Sequence, residues 1–313
     1  MKTAIIVGAD GQDGRILFEQ LRREGYAILG IGRESIRTEN LAELSRINIL
    51  DAGQVSSVVA KLQPSEIYYL AAFHHSSEEL PTDASTLWQR SFDVHVRGLL
   101  HFLEAIKKNS PASRLFYAAS SHIFGDVDRE PQDEKTPFQP KCIYGLTKVA
   151  GIHACRLYHH NDNVFAAAGI LYNHESPFRA AKFVSQKIIR GAINIKRGTQ
   201  SKLILGDLAA RIDWGYAADY VAAMRAILKQ QMREDFVIAT GETHSVLEFV
   251  EIAFGFLGLD WKKHIEENSS LVMRRRNPLR GDATKLRTMT GWKPTVTFEE
   301  MIHCLLQNSD ETI

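Results

Sequence analysis

The 313-residue sequence has few cysteines, almost no net charge and no long apolar run. Its three cysteines are odd in number and lack the spacing of metal ligands, which indicates a reducing interior rather than a disulfide framework. A net charge of +1 leaves no global field to attract nucleic acid or an acidic membrane. No segment reaches the roughly 18 apolar residues of a membrane span, and the N-terminal run AIIVGA is too short for a signal peptide. We therefore expect a cytoplasmic protein that binds neither nucleic acid nor membranes.

A glycine-rich turn follows the first apolar segment. The run TAIIV (3–7) leads into Gly8, Gly11 and Gly14, and a helical pattern continues to Gly25. Strand, glycine turn and helix in this order begin a dinucleotide-binding βαβ unit, in which backbone N–H groups approach a pyrophosphate at the helix N-terminus. The spacing is G-x-x-G-x-x-G, and its place between strand and helix predicts a cofactor site.

The second strand, AILGIG (27–32), ends at Arg33. An acidic residue there would bind the ribose 2′-hydroxyl of NAD, whereas an arginine suits the 2′-phosphate of NADP. Glu34 is adjacent, and a solvated loop arginine is the plainer interpretation of Arg33. We predict NADP, with NAD as the alternative cofactor.

Further strands and helices alternate along the first half of the chain. Residues 48–51 are predicted to form a third short strand, placed to meet the adenine, and the strand EIYYLAA (66–72) ends in residues small enough for a cofactor to cross. His74 and His75 follow, but no carboxylate is spaced to complete a zinc site with them. The alternation predicts an α/β fold with a doubly wound parallel sheet.

The segment from Ala118 to Lys148 contains the candidate chemistry. Ser120 and Ser121 follow an apolar strand, and Tyr144 and Lys148 lie four residues apart on one face of a predicted helix. A lysine beside a phenol favours the phenolate, so we expect the pKa of Tyr144 to fall from about 10 toward neutrality. Tyr-x-x-x-Lys also occurs by chance in helices, but together with the glycine turn it predicts proton transfer coupled to hydride transfer.

The pattern changes after the strand NVFAAAGILYN (163–173). A basic amphipathic helix (182–198) and a short strand, KLILG, precede the arginine-rich stretch MRRRNPLRGD (273–282). That stretch is either a clamp for a diphosphate or a solvated basic loop.

On these residues the chain resembles the extended short-chain dehydrogenase/reductase superfamily, and within it the GDP-mannose 4,6-dehydratase family over nearly its full length. The glycine turn and the Tyr-x-x-x-Lys pair are shared by many enzymes of the superfamily, whereas the blocks containing NHESP and RIDWG are specific to that branch. The resemblance rests on residues 8–14, 169–179, 203–221, 235–251 and 281–294.

The resemblance implies two domains and a nucleotide-sugar partner. A Rossmann-type NADP-binding domain would span residues 1–170 and about 212–242, and a smaller α/β lobe for the nucleotide sugar would span about 171–211 and 243–313. Tyr144 would remove the C4-hydroxyl proton, Lys148 would hold the nicotinamide ribose, and Ser120 would bind the C4 oxygen.

The candidate residues form three sets. The catalytic set is Ser120, His122, Tyr144 and Lys148. The cofactor set is Gly8, Gly11, Gln12, Asp13, Gly14, Arg33, Asn48, Ile49, Leu70, Ala71, Ala72, Tyr144, Lys148, His174 and Arg179. The substrate set is Ser121, Asn173, Lys182, Arg211 and Arg276, with GDP-mannose or a derivative as the expected nucleotide-diphosphate sugar.

Two departures from the family pattern affect the prediction. The family has a glutamate, which removes the C5 proton, where this chain has His122. A histidine can perform reversible proton transfer near neutral pH. The arginine-rich loop after the second strand is also shortened, to residues 33–44, which favours a homodimer through helices near 88–108 and 144–160 over the family's tetramer.

Three functions are therefore compared. The first is a GDP-mannose 4,6-dehydratase-like lyase, with C4 oxidation, elimination of water across C5–C6 and return of hydride to C6. The alternative is a GDP-sugar C4 dehydrogenase, 4-keto reductase or 4-epimerase without dehydration. A non-catalytic NADP-binding protein is the third, and the complete Ser120–Tyr144–Lys148 set argues against it.

Overall fold

The computed structural model describes residues 1–42, 46–73, 83–127, 130–268, 270 and 279–310. The first half contains β1 (Thr3–Val7), α1 (Gln12–Arg23), β2 (Ala27–Ile31), β3 (Ile36–Glu39), α2 (Ala52–Leu62), β4 (Glu66–Tyr69), α3 (Ala84–Phe92), α4 (Gly98–Asn109), β5 (Arg114–Ala118) and α5 (Ile143–Asp162). The second half contains β6 (Phe165–Leu171), β7 (Asn173–Glu175), α6 (Val184–Lys196), β8 (Leu203–Leu205), β9 (Arg211–Tyr216), α7 (Ala217–Leu228), β10 (Phe236–Ile238), β11 (Thr243–Ser245), α8 (Val246–Phe256), β12 (Ile265–Glu267), α9 (Thr284–Thr290) and α10 (Phe298–Asp310).

The main sheet has seven strands in the order β10-β6-β5-β4-β1-β2-β3. Every neighbouring pair is parallel except β2 and β3, which are antiparallel. The strands β2 and β4 are buried throughout, as expected when helices cover both faces of a parallel sheet. The strand order reverses between β1 and β4, and ligands of such folds bind outside the carboxyl ends of the strands at this reversal. The predicted doubly wound fold is confirmed.

The predicted third strand at residues 48–51 is wrong. Asn48 instead forms a local turn, in which its side chain accepts a hydrogen bond from the N–H of Leu50, and Asp51 caps α2 by accepting from the N–H of Gln54. Asn and Asp side chains compete with strand pairing through such local bonds. The third strand in the chain is β3, which returns directly after β2.

A π-helical turn, Asp93–Arg97, interrupts the helical run between α3 and α4. Two buried tyrosines bind its carbonyl groups: the Tyr69 hydroxyl donates to Val94 O at 2.6 Å, and the Tyr117 hydroxyl donates to His95 O at 3.1 Å. Such turns occur frequently at functional sites. This one places the His95 ring beside Tyr144.

The buried apolar residues form two clusters. The larger contains the main sheet and the helices against it, and the smaller contains residues of α6, α8 and α10 around Trp214. The Trp214 ring lies 5.3 Å from that of Phe249 and 5.6 Å from that of Phe298. The domain boundaries stay a prediction, and the two clusters are compatible with them. In the described part of the chain, no helix has the length and apolar character needed to span a membrane.

Candidate active site

The glycine turn brings backbone atoms so close together that side chains would not fit. Gly8 has a φ of +96°, and a Cβ on Gly14 would lie 2.3 Å from the Gly8 carbonyl oxygen. A Cβ on Gly8 would lie 2.7 Å from the N of Ala71, so the turn also touches the end of β4. Gly11 precedes α1 without a side-chain cap, so no capping side chain takes up the first N–H groups of the helix. This cradle fits a pyrophosphate.

Two side chains of α1 connect the glycine turn to β7. The Gln12 amide donates to His174 O at 3.0 Å and accepts from the Ser176 hydroxyl at 2.9 Å. The His174 Nε2 lies 3.0 Å from the Asp13 carboxylate, and its Nδ1 lies 2.7 Å from Tyr172 O. The His174 ring stacks on that of Tyr220 at 4.5 Å. Gln12, Asp13 and His174 therefore form one bonded group, behind the cofactor cradle.

The Asp13–His174 contact has the electrostatics of a buried ion pair. Burial opposes charge on both groups, but the neighbouring Asp13 carboxylate raises the pKa of His174 above its ordinary value. The imidazolium of His174, together with Arg179, lowers the pKa of Asp13 in spite of the same burial. Because Nδ1 faces a carbonyl oxygen and Nε2 faces a carboxylate, both nitrogens are placed to donate, as only the charged ring can.

Ser120, Tyr144 and Lys148 lie together at the carboxyl end of β5. The Ser120 hydroxyl hydrogen-bonds the Tyr144 phenol. The Lys148 Nζ donates to Ala118 O at 2.7 Å and lies 5.6 Å from the centre of the Tyr144 ring. The predicted helical spacing of Tyr144 and Lys148 in α5 is present, and both side chains face the end of the same strand.

The expected direction of the Tyr144 pKa is wrong for the protein alone. Burial raises the pKa of Tyr144 to about 12, against the lowering effects of Arg179 and of the Ser120 hydrogen bond. Burial also lowers the pKa of Lys148 to about 7, so the lysine is only partly protonated at neutral pH. Desolvation is the largest cause of both shifts, and it is the effect that the i, i+4 spacing could not predict.

His122 follows Ser121 in a short 3₁₀ turn and borders Tyr144. The two rings meet edge to face with centroids 5.6 Å apart. The His122 Nδ1 lies 3.9 Å from the Sγ of Cys142, and this sulfur also accepts from the N–H of Gly145 at 3.4 Å, which caps α5. The turn therefore places an imidazole within the same cleft as the phenol and the lysine.

His95 and Thr147 were not predicted, and both support Tyr144. The His95 Nε2 accepts from the N–H of Phe73 at 2.9 Å, and its Nδ1 lies 2.7 Å from the Thr147 hydroxyl. That hydroxyl in turn donates to the carbonyl groups of Ile143 and Tyr144, both at 3.0 Å. A histidine between the valines at positions 94 and 96 was the one signal in the sequence.

Arg179 and Lys182 approach the cleft from the loop after β7. The Arg179 guanidinium lies 3.6 Å from the centre of the Phe183 ring, and Lys182 approaches the same ring at 5.9 Å. The buried Nε of Arg179 is 3.4 Å from the Glu175 carboxylate but has no partner with hydrogen-bond geometry in the described part of the chain. A guanidinium with an unused donor suits a phosphate-bearing ligand.

Other predicted residues lie at the edge of this site or outside the described residues. Arg33 is exposed, Arg211 binds Glu248 at 3.1 Å and the carbonyl of Thr243, and Ser121 is buried. Asn48 and Ile49 are in the turn before α2, Leu70, Ala71 and Ala72 follow β4, and Asn173 begins β7. Arg276 lies outside the described residues, as do His74 and His75 and most of the arginine-rich stretch.

Comparisons with known proteins agree with this geometry. A family model described as GDP-mannose 4,6 dehydratase matches residues 5–305. The chain is 36% identical over 333 residues to GDP-mannose 4,6 dehydratase 1 of Arabidopsis thaliana. The aligned region covers 99% of this chain and 90% of that protein.

Two solved structures share the fold at low sequence identity. RMD from Pseudomonas aeruginosa, complexed with NADPH, superposes with a TM-score of 0.86 at 20% identity and covers 100% of both chains. The dTDP-glucose 4,6-dehydratase of Bacillus anthracis, in complex with NAD, superposes with a TM-score of 0.83 at 20% identity and covers 100% of this chain and 97% of that one. With its matching family model and its full-length relatives, the chain belongs to the GDP-mannose 4,6 dehydratase family.

Proposed function

We propose that the protein is a GDP-mannose 4,6-dehydratase: it oxidises the sugar at C4, eliminates water across C5–C6 and returns hydride to C6. The observation that carries the proposal is the cluster of Ser120, Tyr144 and Lys148 with the His122 ring 5.6 Å from the phenol ring. A proton acceptor for the C4 hydroxyl and a second acid/base for C5 and C6 are thus available in one cleft of a family member.

NADP, when bound, would supply reversible hydride transfer to and from the sugar. The glycine turn and the first turn of α1 would hold the pyrophosphate, and Arg33 would face the 2′-phosphate. Lys148 would hold the nicotinamide ribose. The two structural relatives with NADPH and NAD support a dinucleotide in this cleft.

Tyr144 takes the proton of the C4 hydroxyl in the first step. Tyr144 can accept this proton only as the phenolate. Because burial raises its pKa in the protein alone, ligand binding must favour the phenolate. An anionic ligand in the cleft favours the protonated form of Lys148, and the protonated lysine then favours the phenolate. The Ser120 hydroxyl orients the C4 oxygen during this transfer.

His122 acts in the second step. It removes the C5 proton and delivers it to the C6 hydroxyl, which leaves as water. C5 then takes up a proton as hydride reaches C6, and this uptake balances the proton that Tyr144 removed from the C4 hydroxyl. The sugar has then lost one water and keeps a ketone at C4, with no net change in the oxidation state of the cofactor.

Product analysis tests the proposal. Incubation with GDP-mannose should yield the 4-keto-6-deoxy sugar, detected by mass spectrometry as the loss of one water. Tyr144→Phe should abolish oxidation, and His122→Ala should lower dehydration by about 100-fold, as expected for a lost acid/base. The exposed His160 of α5 supplies a matched control, since His160→Ala should leave the rate unchanged. No product from the wild-type protein between about pH 6 and pH 9 would overturn the proposal.

The identity of residue 122 favours one alternative, a C4 dehydrogenase, 4-keto reductase or 4-epimerase without dehydration. A neutral imidazole does not supply the negative charge of a carboxylate beside C5. If His122→Glu creates dehydratase activity that the wild-type protein lacks, this alternative replaces the dehydratase. A fall in native dehydratase activity in His122→Ala supports the main proposal.

Three further properties belong to the same proposal. We infer that the substrate is GDP-mannose, as the names of the relatives suggest, and that it lies between the main sheet and the α6–α8–α10 cluster. The free state of Cys142, Cys155 and Cys304 supports a cytoplasmic location. A homodimer through the helices near 88–108 and 144–160 would complete the assembly.

A further inference from the structure

The chain after β2 makes a tight hairpin. The Gly32 N–H donates to Ser35 O at 2.9 Å, and β3 then runs back antiparallel to β2. Arg33 and Glu34 are the two central residues of this turn, and both are exposed. Arg33, which the sequence places at the end of a strand, therefore lies at the tip of a hairpin.

The polar group packed on the end of β2 comes from the glycine turn. The Ser35 hydroxyl donates to the Asp10 carboxylate, with both oxygens at 2.8 Å. A Cβ on Gly32 would lie only 1.9 Å from the Asp10 Oδ2, so the carboxylate occupies the space above this glycine. The Arg15 side chain donates to Asp10 O at 2.9 Å, which holds the backbone of the turn.

This place is where an NAD site of this fold has its acidic residue, which accepts a hydrogen bond from the ribose 2′-hydroxyl. In this chain the acid belongs to the glycine turn instead of the strand end. We propose that Asp10 is a specificity-determining residue of the cofactor site, which binds the 2′-hydroxyl of NAD and repels the 2′-phosphate of NADP. The inference rests on the proposed function in one respect, the presence of a dinucleotide in the cleft.

Basic side chains oppose this effect from the other side of the hairpin. The Arg46 guanidinium donates to Arg33 O at 3.0 Å, so two arginines flank the turn that Asp10 contacts through Ser35 and Gly32. A 2′-phosphate would meet both signs of charge, whereas a 2′-hydroxyl would meet a ready acceptor. Asp10 therefore favours NAD and the two arginines favour NADP, so we expect both cofactors to bind.

Binding titrations test the assignment without turnover. The fluorescence of NADH and NADPH is followed on addition of wild-type protein, Asp10→Asn or Glu19→Gln. Asp10→Asn keeps an oxygen for the Ser35 hydroxyl and removes the charge, so the Kd ratio should shift by about tenfold toward NADPH. The shift should shrink as salt is raised, since exposed charges are screened. Glu19→Gln removes an exposed charge of α1 and should shift the ratio less than about twofold.

The outcomes separate this inference from the proposed function. If both dinucleotides bind and Asp10→Asn leaves their Kd ratio unchanged, the role of Asp10 is overturned while the cofactor site stands. If neither dinucleotide binds the folded wild-type protein, the cofactor site and the role of Asp10 both fall. A second variant, Asp10→Ser, should shift the ratio in the same direction as Asp10→Asn, and a shift toward NADH in either variant also overturns the role.

Discussion

Lys148 shows how strongly burial controls a single residue of this site. Its side chain is 1% exposed, and its Nζ binds Ala118 O. Burial lowers the pKa of Lys148 from 10.5 to about 7. Because the folded protein loses this proton at a lower pH than the unfolded chain, the unfolded chain binds more protons between these two values. The free energy of unfolding therefore rises with pH through that window.

Replacement of Lys148 by Met should remove this pH dependence. Between about pH 7 and pH 9, the free energy of unfolding of the wild type should rise by about 2 kcal/mol relative to that of Lys148→Met. One pKa unit corresponds to about 1.4 kcal/mol. Urea unfolding at the two pH values measures this change. The exposed Lys61 of α2 is the control, because Lys61→Met should follow the wild-type pH slope. Equal slopes for wild type and Lys148→Met would contradict the burial argument.

The residue scale also shows what local patterns can and cannot predict. The glycine spacing and the Tyr-x-x-x-Lys interval come from neighbouring positions in one chain segment, so they predicted the tight turn and the shared helix face that the structure has. The pKa of Tyr144 depends on the protein that surrounds it, and it moved opposite to the prediction. Asp10 was overlooked because only the β2–β3 hairpin brings Gly32 and Ser35 against it.

At the scale of elements, α1 and β7 are joined by a contact that no sequence pattern indicates. Asp13 and His174 are 161 positions apart, yet they form a buried pair behind the glycine turn. Both were predicted to lie near the cofactor, but only the fold shows that they bind each other. The wrongly predicted strand at residues 48–51 has a local cause instead. Local hydrogen bonds of the Asn48 and Asp51 side chains prevail over sheet pairing there.

Removal of one partner of the Asp13–His174 pair should destabilise the protein. Asp13→Asn and His174→Gln should each lower the free energy of unfolding by about 3 kcal/mol, because a buried charge is left without its partner. The double variant should lose less than the sum of the two, with a coupling of about 1.5 kcal/mol or more. Chemical denaturation of the four proteins measures this cycle. A strictly additive double variant would show that the pair does not couple α1 to β7.

The pH dependence of this pair has a definite sign. The pKa of His174 is raised, so its contribution is complete below the unfolded value of 6.5 and is lost as pH rises through the folded pKa. The pKa of Asp13 is lowered, so its contribution is present above 3.8 and is lost as pH falls through the folded pKa. The measured coupling should therefore be largest between the folded pKa of Asp13, below 3.8, and the folded pKa of His174, above 6.5, and should decline outside this range. The exposed Glu19–Arg22 pair of α1 should show a much smaller coupling.

At the scale of the whole molecule, large apolar side chains are exposed on two adjacent helices. Trp88 and Phe92 on α3 are 42% and 46% exposed, and Leu146 and Leu157 on α5 are 44% and 56% exposed. The two helices pack against each other, and Trp88 and Phe92 are spaced four residues apart on one face. Clustered exposed apolar groups commonly mark a protein interface. These four side chains lie within the two segments, 88–108 and 144–160, predicted for the dimer.

A charge in this apolar surface should therefore disrupt the proposed homodimer. Leu157→Glu should shift the protein to a monomer at micromolar concentration, because an interface core excludes an unpaired carboxylate. Light scattering coupled to size-exclusion chromatography measures the mass, and circular dichroism verifies the fold. Met232, 68% exposed between α7 and β10, supplies the matched control, since Met232→Glu adds the same charge outside α3 and α5. A wild-type monomer, or a Leu157→Glu dimer as stable as the wild type, would show that α5 does not form the interface.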